Sequence, residues 1–148
     1  MHPQRFPLTQ KARLHDAQGR VLLLRDAATG TWDLPGGRLE PGEITDPRAA
    51  LYRELHEEVG DIHVDVEGSP IGLFPHAMAD GSEALMLLWR GTVAGTPSLS
   101  PEHDAWCWWT PTHDASPSAP ALRAALDLPS DVAWRYGIAA TLGAIART

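Results

Sequence analysis

Three glutamates, Glu54, Glu57 and Glu58, lie close enough in the sequence to bind a metal ion together. On a helix, which turns about 100° per residue, their side chains fall on one sector. Like charges at such spacings repel by a few tenths of a kcal/mol per pair, and Arg53 is the nearest cation that could offset this. A hard divalent cation such as Mg²⁺, which prefers oxygen ligands, would neutralise the group. A solvated acidic surface is the alternative that so short a charge run leaves open.

The helix that would carry these glutamates has clear end signals. Asp46 before Pro47 is an N-cap followed by a proline at the first helical position, where the missing N–H costs nothing. No glycine or proline interrupts residues 49–59, and Gly60 suits the turn after a helix. The helix also has an apolar stripe for burial, which consists of Leu51, Leu55 and Val59.

A glycine-rich segment, PGGRLEPGE over residues 35–43, leads into this helix. Glycines at 36 and 37 allow the backbone to be exposed in a tight loop. The sequence therefore predicts a loop at residues 35–37 that faces the acidic helix.

Together, the loop and helix resemble the signature of the Nudix hydrolase family. That signature is Gly, five residues, Glu, seven residues, then Arg-Glu-aliphatic-any-Glu-Glu-any-Gly-aliphatic. The matching residues here are Gly37, Glu43, Arg53, Glu54, Leu55, Glu57, Glu58 and Gly60.

The match departs from the family pattern at two places. Nine residues, 44–52, separate Glu43 from Arg53 where the family has seven. We assign the surplus pair, Ile44 and Thr45, to the loop before the helix, which leaves open whether Glu43 keeps its place. Asp61 stands where an aliphatic residue is usual, and we interpret this as a shifted strand start.

The resemblance implies an α/β (α+β) Nudix fold, in which a mixed β-sheet is sandwiched between helices, and a MutT-like pyrophosphohydrolase activity. It implies Mg²⁺, with Mn²⁺ as a substitute, held by Glu54, Glu57, Glu58 and the carbonyl of Gly37. Glu54 is the first choice for the catalytic base and Glu102, on a mobile loop, is the second. Arg53 would orient the loop and the glutamates while pointing away from their sector, and Glu43 would support Arg53 or a water of the metal.

A second part of the chain adds to the resemblance. Glu102 and His103 precede a tryptophan-bearing segment, as a Glu-His pair often does in Nudix proteins, although an ordinary polar loop explains the pair equally well. Candidate substrate-binding residues are Trp32, Arg38 and His76. Most of the six tryptophans are expected to pack in the core.

Composition limits the remaining choices. A chain of 148 residues with 43% hydrophobic content predicts a single Nudix hydrolase domain over residues 1–148. It has no apolar run of the ~20 residues that a membrane span needs and no apolar signal core near its start, which predicts a soluble, cytoplasmic protein without membrane partners. The formal net charge of −7 argues against binding a nucleic-acid polymer and leaves a small phosphorylated substrate, such as a nucleotide, held through metal ions. A monomer and a homodimer both remain open.

Short apolar runs predict the strands. Residues 11–15 and 21–25 form a hairpin around DAQGR, and residues 32–34, 62–66, 69–78, 84–93 and 104–110 carry further strand signals. Helices are predicted over residues 121–128 and 131–147. Cys107 is the only cysteine, which predicts a half-buried apolar thiol and no disulfide.

Two other function classes remain open beside the hydrolase. A catalytically weak or silent Nudix-fold protein that senses a ligand would explain a displaced Glu43. An isomerase of allylic diphosphates would need additional acid and base residues, for which Cys107 is the one thiol.

Overall fold

The computed structural model describes residues 2–77 and 80–110, without the side chains of Phe74, His76 and Ala77. The helices predicted over 121–128 and 131–147 therefore lie outside the described residues. The described strands are β1 Leu8–His15, β2 Val21–Asp26, β3 Trp32–Asp33, β4 Gly36–Arg38, β5 His63–Val66, β6 Gly72–Ala77, β7 Glu83–Ala94 and β8 His103–Trp109. The helix α1 spans Pro47–Val59, and a short 3₁₀ turn spans Glu43–Thr45.

The strands form one mixed sheet. Its main path runs β3-β2-β1-β7-β5, while β4 pairs with β1, β6 with β7 and β8 with β2. The pairing of β1 with β7 is parallel, and the other pairings are antiparallel. The mixed sheet of the predicted α+β fold is thus confirmed, with α1 as its described helix.

The predicted hairpin is confirmed, because β1 and β2 pair antiparallel at His15 and Val21. The long apolar strand over residues 84–93 is confirmed as β7, which pairs with β1, β5 and β6 and so lies inside the sheet. Its residues alternate between a buried face and a half-buried to exposed face, so the apolar residues of the second face are only partly covered.

The helix α1 packs its apolar stripe on the sheet. Leu51, Leu55 and Val59 are at most 1% exposed and contact Ala12 and Leu14 of β1 in one hydrophobic cluster. Burying a side chain of this size contributes about 1.5–3 kcal/mol, so this stripe fixes the rotation of α1 about its axis.

A buried glutamine connects the start of α1 to the sheet. Gln10 Nε2 donates to the Pro47 carbonyl at 2.9 Å, and Gln10 Oε1 accepts from Trp89 Nε1 at 2.9 Å. Gln10 is only 1% exposed, and these bonds satisfy the side-chain amide that burial would otherwise leave unpaired. The helix is therefore held at its first residue as well as along its stripe.

The loop predicted at residues 35–37 is partly wrong, because Gly36 and Gly37 belong to strand β4. Gly36 pairs with Lys11 and Gly37 with Gln10 of β1. A Cβ on Gly36 would lie 2.0 Å from the Gln10 carbonyl oxygen, so glycine is needed there for the two backbones to approach.

Candidate active site

The ends of α1 are formed by the residues that the sequence indicated. Asp46 Oδ1 accepts a hydrogen bond from Ala49 N at 3.1 Å, and Pro47 is the first helical residue. Gly60, with φ of 76°, follows the last residue and its N–H donates to the His56 carbonyl. The predicted helix is confirmed, and its rotation places Glu54 and Glu58 against β4.

The surplus residues lie before this helix. Ile44 and Thr45 belong to the 3₁₀ turn Glu43–Thr45, and the side chain of Ile44 is 63% exposed. Thr45 Oγ1 donates to the Gly42 carbonyl at 3.1 Å, which closes the turn on itself. The turn enlarges the loop without entering the register of α1.

Glu58 is the buried carboxylate of the site. It is 6% exposed, and its Oε2 accepts a hydrogen bond from the Gly36 N–H at 2.9 Å. Burial raises the pKa of Glu58 to about 7; the charge of Lys11 and the Gly36 N–H oppose this shift, and the nearby carboxylates of Glu54 and Asp33 add to it. A bound cation would remove the cost of ionising this group.

Arg53 contacts three carboxylates. Its guanidinium lies 2.7 Å from Glu43 Oε1, 3.0 Å from Glu54 Oε1 and 3.1 Å from Glu57 Oε1. The expectation that Arg53 points away from the glutamates is wrong, because its long side chain bends back across the helix surface to reach them. These contacts raise the pKa of Arg53, with the hydrogen bond to Glu43 as the largest cause.

Glu43 remains close to the helix despite the insertion. Its Oε1 accepts from Arg53 Nε at 2.9 Å, and its Oε2 accepts from the Glu40 N–H at 2.8 Å. The Glu40 N–H is the largest cause of the lowered pKa of Glu43 and Arg53 adds to it, so Glu43 is held as an anion.

Glu54 lies directly against the glycine strand. A Cβ placed on Gly37 would lie 2.4 Å from Glu54 Oε2, so the carboxylate occupies the space that a side chain at position 37 would need. Burial raises the pKa of Glu54, and Arg53 opposes the shift. The carbonyl oxygen of Gly37, the fourth expected metal ligand, accepts from Thr9 Oγ1 at 3.2 Å.

A cavity of about 610 Å³ is lined by all three residues of β4. Its walls come from β1, β4, the loop after β2, α1 and the loop before β8. The lining residues include Lys11, Asp33, Arg38, Glu58, Glu102 and His103. Glu54 and Glu57, by contrast, contact Arg53 and do not line this cavity.

Glu102 and His103 reach the cavity on an anchored loop. Ser98 N donates to the Val59 carbonyl at 2.9 Å and Ser100 N to the Glu58 carbonyl at 3.2 Å, so the loop caps the end of α1. The Glu102 carbonyl accepts from Ala27 N at 2.9 Å. The loop that we expected to be mobile is connected by backbone hydrogen bonds to two other elements.

The three candidate substrate-binding residues lie in different places. Trp32 is 2% exposed, and the guanidinium of Arg25 lies 5.8 Å from its ring centre, so its face is not on the cavity wall. Arg38 is exposed and lines the cavity. His76 pairs with Ala84 in the sheet, but its side chain lies outside the described part of the chain.

Sequence reasoning missed Lys11. Its side chain is 12% exposed, and its Nζ lies 3.2 Å from Asp33 Oδ2 on the cavity wall. Side chains alternate between the two faces of β1, so Lys11 lies on the face opposite to buried Gln10 and Ala12. This alternation could not identify Lys11 as a site residue, because the residues that share its face of the sheet come from distant parts of the chain.

The donor set fits a divalent cation. Carboxylates of Glu58 and Glu102 and a ring nitrogen of His103 lie within 4.8 Å of one another, and Glu54 and Glu57 supply further oxygens nearby on the same helix. Oxygen donors in this number suit Mg²⁺ or Mn²⁺. No helix in the described ranges has the length and apolar character needed to cross a bilayer.

These features define an α/β protein with a carboxylate-lined cavity that is suited to a metal ion. Residues 7–128 match the profile of the NUDIX domain. The chain therefore belongs to the Nudix family, as the signature predicted.

Two relatives illustrate the range of the family. An RNA pyrophosphohydrolase of Methylococcus capsulatus is 31% identical, over 68% of this chain and 63% of the relative. An 8-oxo-(d)GTP phosphatase of Mycolicibacterium smegmatis is 32% identical, over 64% of this chain and 28% of the relative. The chain thus spans less than two thirds of the length of either relative.

The fold has a counterpart among solved structures. The MutT protein from Methanosarcina mazei Go1 superimposes with a TM-score of 0.66 at 24% identity, over 84% of this chain and 90% of that protein. At this identity the similarity concerns the fold.

Proposed function

We propose that this protein is a metal-dependent hydrolase that cleaves a diphosphate linkage in a nucleoside polyphosphate or a nucleoside diphosphate-linked substrate. The observation that carries the proposal is the buried carboxylate of Glu58, which the Gly36 N–H orients at the wall of the cavity. Burial holds this acid at a pKa of about 7, a cost to folding that a cation-binding role would explain.

Glu54, Glu57, Glu58 and the Gly37 carbonyl would hold the metal. A bound Mg²⁺ would neutralise the charge that develops on the phosphate oxygens and would make water at the site more acidic. Since the whole chain carries a formal charge of −7, a polyphosphate needs such a cation to approach these carboxylates.

Two positively charged side chains on the cavity wall would orient the substrate. Lys11 and Arg38 line the cavity on β1 and β4, next to the edge where Glu58 lies. Lys11 is held by Asp33 at 3.2 Å, which keeps its ammonium in place, whereas Arg38 is exposed and free to adjust. A bridging phosphate between these cations and the metal would be positioned for attack by water.

Glu102 and Glu54 are the candidates for accepting the proton of the attacking water. Glu102 lines the cavity, whereas the Glu54 carboxylate contacts Arg53 at 3.0 Å and packs on Gly37. The position of Glu102 favours it over Glu54, which reverses the order expected from the sequence. Arg53 acts as a positioning residue that fixes Glu43, Glu54 and Glu57.

The names of the relatives support a nucleotide-like substrate but disagree about its size. A cavity of about 610 Å³ and the negative charge favour a small nucleotide over an RNA chain. Against an isomerase, Cys107 does not line the cavity, and burial raises the pKa of its thiol to about 12.

A substrate panel tests the proposal. It would contain nucleoside triphosphates including 8-oxo-dGTP, dinucleoside polyphosphates, sugar nucleotides and RNA with a 5′-triphosphate. The nucleotide products would be separated and quantified directly, because EDTA would also inactivate a coupled pyrophosphatase. Turnover would be compared with Mg²⁺, with EDTA, and in the Glu58→Gln variant. We expect turnover of a small nucleotide that EDTA abolishes and that Glu58→Gln lowers by roughly 10²–10³.

Two results would contradict it. Binding of a nucleotide without turnover of any diphosphate would support the ligand sensor. Turnover that persists in EDTA would exclude the metal-dependent hydrolase.

A further inference from the structure

Three basic side chains lie together on the face of the sheet that is turned away from α1. Arg13 and His15 alternate with Ala12 and Leu14, which belong to the hydrophobic cluster beneath α1. Because successive residues of a strand point to opposite faces, the two basic side chains lie on the other face of β1. Arg90 of β7 pairs with Arg13 in the parallel register, so it shares that face. None of the three basic residues lines the cavity of about 610 Å³.

The two arginines leave neighbouring strands side by side. Paired strands lie about 4.8 Å apart, and like charges placed opposite each other in a sheet destabilise it. Burial is the largest cause of the lowered pKa of Arg13, and the charge of Arg90 adds to it. The pKa of His15 is also lowered, first by burial and then by the two arginines. The three groups therefore repel one another in a partly buried place.

The nearby carboxylates do not neutralise this cluster. Asp16 and Glu67 both act on His15 and oppose the lowering of its pKa. Asp16 is already held by Arg20, whose Nε donates to Asp16 Oδ2 at 2.6 Å. Glu67 is exposed, and no ion pair within the described ranges joins it to the three basic groups. The cluster thus keeps its positive charge without a fixed counterion from this part of the chain.

Two nitrogens of the cluster also have no hydrogen-bond partner. Arg13 Nε and His15 Nε2 are both buried and are unpaired among residues 2–77 and 80–110. Buried polar groups in folded proteins are nearly always paired, so each of these nitrogens calls for an explanation. The guanidinium can only donate, and an imidazole nitrogen can donate in one of its tautomers. An anion that accepts from both side chains would satisfy them and would also offset the repulsion.

We propose that Arg13, His15 and Arg90 form a binding site for a phosphate group, on the face of the sheet opposite α1. Guanidinium groups bind phosphate through paired hydrogen bonds, and a phosphate presents oxygens in several directions. A carboxylate has two oxygens in one plane, which a single guanidinium already matches, so three donor groups from two strands suit phosphate better. The site goes beyond the proposed hydrolase function, because it uses neither a metal ion nor a residue of the cavity.

Phosphate titrations in EDTA test the proposal, since the cavity cannot then hold phosphate through a metal ion. Calorimetry would measure the affinity for orthophosphate, and the NMR signals of the His15 ring would report where it binds. We expect saturable binding that shifts these signals. Arg13→Gln and Arg90→Gln should each weaken the affinity by about tenfold or more, because each removes charge-assisted hydrogen bonds.

Two other arginines provide matched controls. Arg5→Gln removes the same charge at an exposed position before β1, and Arg38→Gln removes it from the cavity wall. Both variants should bind orthophosphate as the unaltered protein does. Absent binding, unshifted His15 signals, or an affinity that falls as far in either control as in Arg13→Gln would overturn the proposal.

Glu67→Gln should change the affinity in the opposite direction. The Glu67 N–H donates to the Arg90 carbonyl at 2.9 Å, so this carboxylate is anchored beside the site. Removing its charge should strengthen phosphate binding by about two- to fivefold, as expected for an exposed charge. An unchanged or weaker affinity would contradict the location of the site. Glu67 and Arg90 are both exposed, so their variants should fold even if Arg13→Gln does not.

A parallel titration with a nucleoside 5′-monophosphate distinguishes two sources of the phosphate group. Binding that needs Arg13 supports the site in either case. Tighter binding of orthophosphate would identify a site for the free anion, and tighter binding of the nucleotide would identify a site for a phosphate that a nucleoside carries.

The phosphate site and the hydrolase function can fail separately. A protein that binds phosphate in EDTA through Arg13 but cleaves no diphosphate keeps the site and loses the proposed activity. A protein that hydrolyses nucleotides with Mg²⁺ but binds no phosphate in EDTA keeps the activity and loses the site.

Discussion

The backbone N–H of Gly36 donates a 2.9 Å hydrogen bond to Oε2 of Glu58, a residue 22 positions later in the chain. Gly36 belongs to β4 and Glu58 to the last turn of α1, so this bond joins the glycine strand to the acidic helix. It also orients a buried carboxylate, since Glu58 is only 6% exposed. The glycine strand therefore acts as part of the site as well as part of the sheet.

The metal-free protein should become less stable as the pH rises through the titration of Glu58. The pKa of Glu58 is about 7 in the folded protein, above its ordinary value of 4.5. The unfolded chain therefore releases this proton at a lower pH than the folded protein does. The resulting loss of unfolding free energy is complete above about pH 7. Relative to Glu58→Gln, the unaltered protein should lose about 2–3 kcal/mol of unfolding free energy between about pH 5 and about pH 8. Denaturant titrations in EDTA measure this difference; a constant gap between the two proteins would exclude a raised pKa.

Alanine at positions 36 and 37 should separate folding from function. Gly36→Ala should lower stability by several kcal/mol, on the order of the largest single-residue effects, since φ is 144° and the Cβ would meet the Gln10 backbone at 2.0 Å. The three atoms nearest to a Cβ at position 37 all belong to the Glu54 side chain, which can move, so Gly37→Ala should retain the fold and lose metal affinity.

Thermal melts and Mg²⁺ titrations measure the two effects. Gly42→Ala is the control for backbone strain alone, because Gly42 has a φ of 90° with open space around its Cβ. Equal melting temperatures for the variants at 36 and 42 would contradict the steric argument.

Neutral replacements of the helix glutamates should reduce turnover without unfolding the protein. Glu57→Gln and Glu58→Gln keep the side-chain volume but remove a charge that the metal needs, so each should lower kcat by roughly 10²–10³. Steady-state kinetics at limiting Mg²⁺ provide the measurement, with circular dichroism to confirm folding. Near-normal turnover of either variant would exclude that carboxylate as a ligand.

Neutral replacements should identify the proton acceptor. If Glu102 accepts the proton of the attacking water, Glu102→Gln should lower kcat by roughly 10²–10⁴ and leave the affinity for Mg²⁺ nearly unchanged. Glu54→Gln should instead weaken Mg²⁺ binding, because Glu54 is a proposed metal ligand. The reverse pattern, measured by steady-state kinetics and Mg²⁺ titration, would assign the proton transfer to Glu54.

Deleting Ile44 and Thr45 should leave stability nearly unchanged. Both lie in the 3₁₀ turn before the Asp46 cap, and loop-closure entropy changes by well under ~1 kcal/mol for two residues. A shift in the register of α1 would instead expose Leu51 and Leu55 and cost several kcal/mol, on the order of large core substitutions.

Thermal melts of the deletion variant distinguish these outcomes. A large drop in melting temperature would place the surplus residues inside the helix. Unchanged stability with raised activity would indicate that the turn holds Glu43 away from the metal.

The sequence by itself determined where the helix begins and ends and which of its faces is buried. The cap at Asp46, the stop at Gly60 and the stripe of Leu51 and Leu55 depend on neighbours within a few residues, so local rules predict them correctly. The same holds for the β1–β2 hairpin, whose turn signals lie between its strands.

Tertiary structure decided which partners each carboxylate of α1 has. The sequence grouped Glu54, Glu57 and Glu58 on one helix sector, but Arg53 contacts the first two, while Glu58 faces the cavity with Glu102 and His103. Helical periodicity cannot reveal this division, because it depends on a strand and a loop that come from distant parts of the chain.

The same reason explains why β4, Lys11 and the anchored Glu102 loop were not predicted. Gly36 pairs with Lys11 of β1, and the loop caps α1 through Ser98 and Ser100. Such contacts join residues far apart in the sequence, where local propensity carries no signal, and packing of the sheet against the helix brings them together.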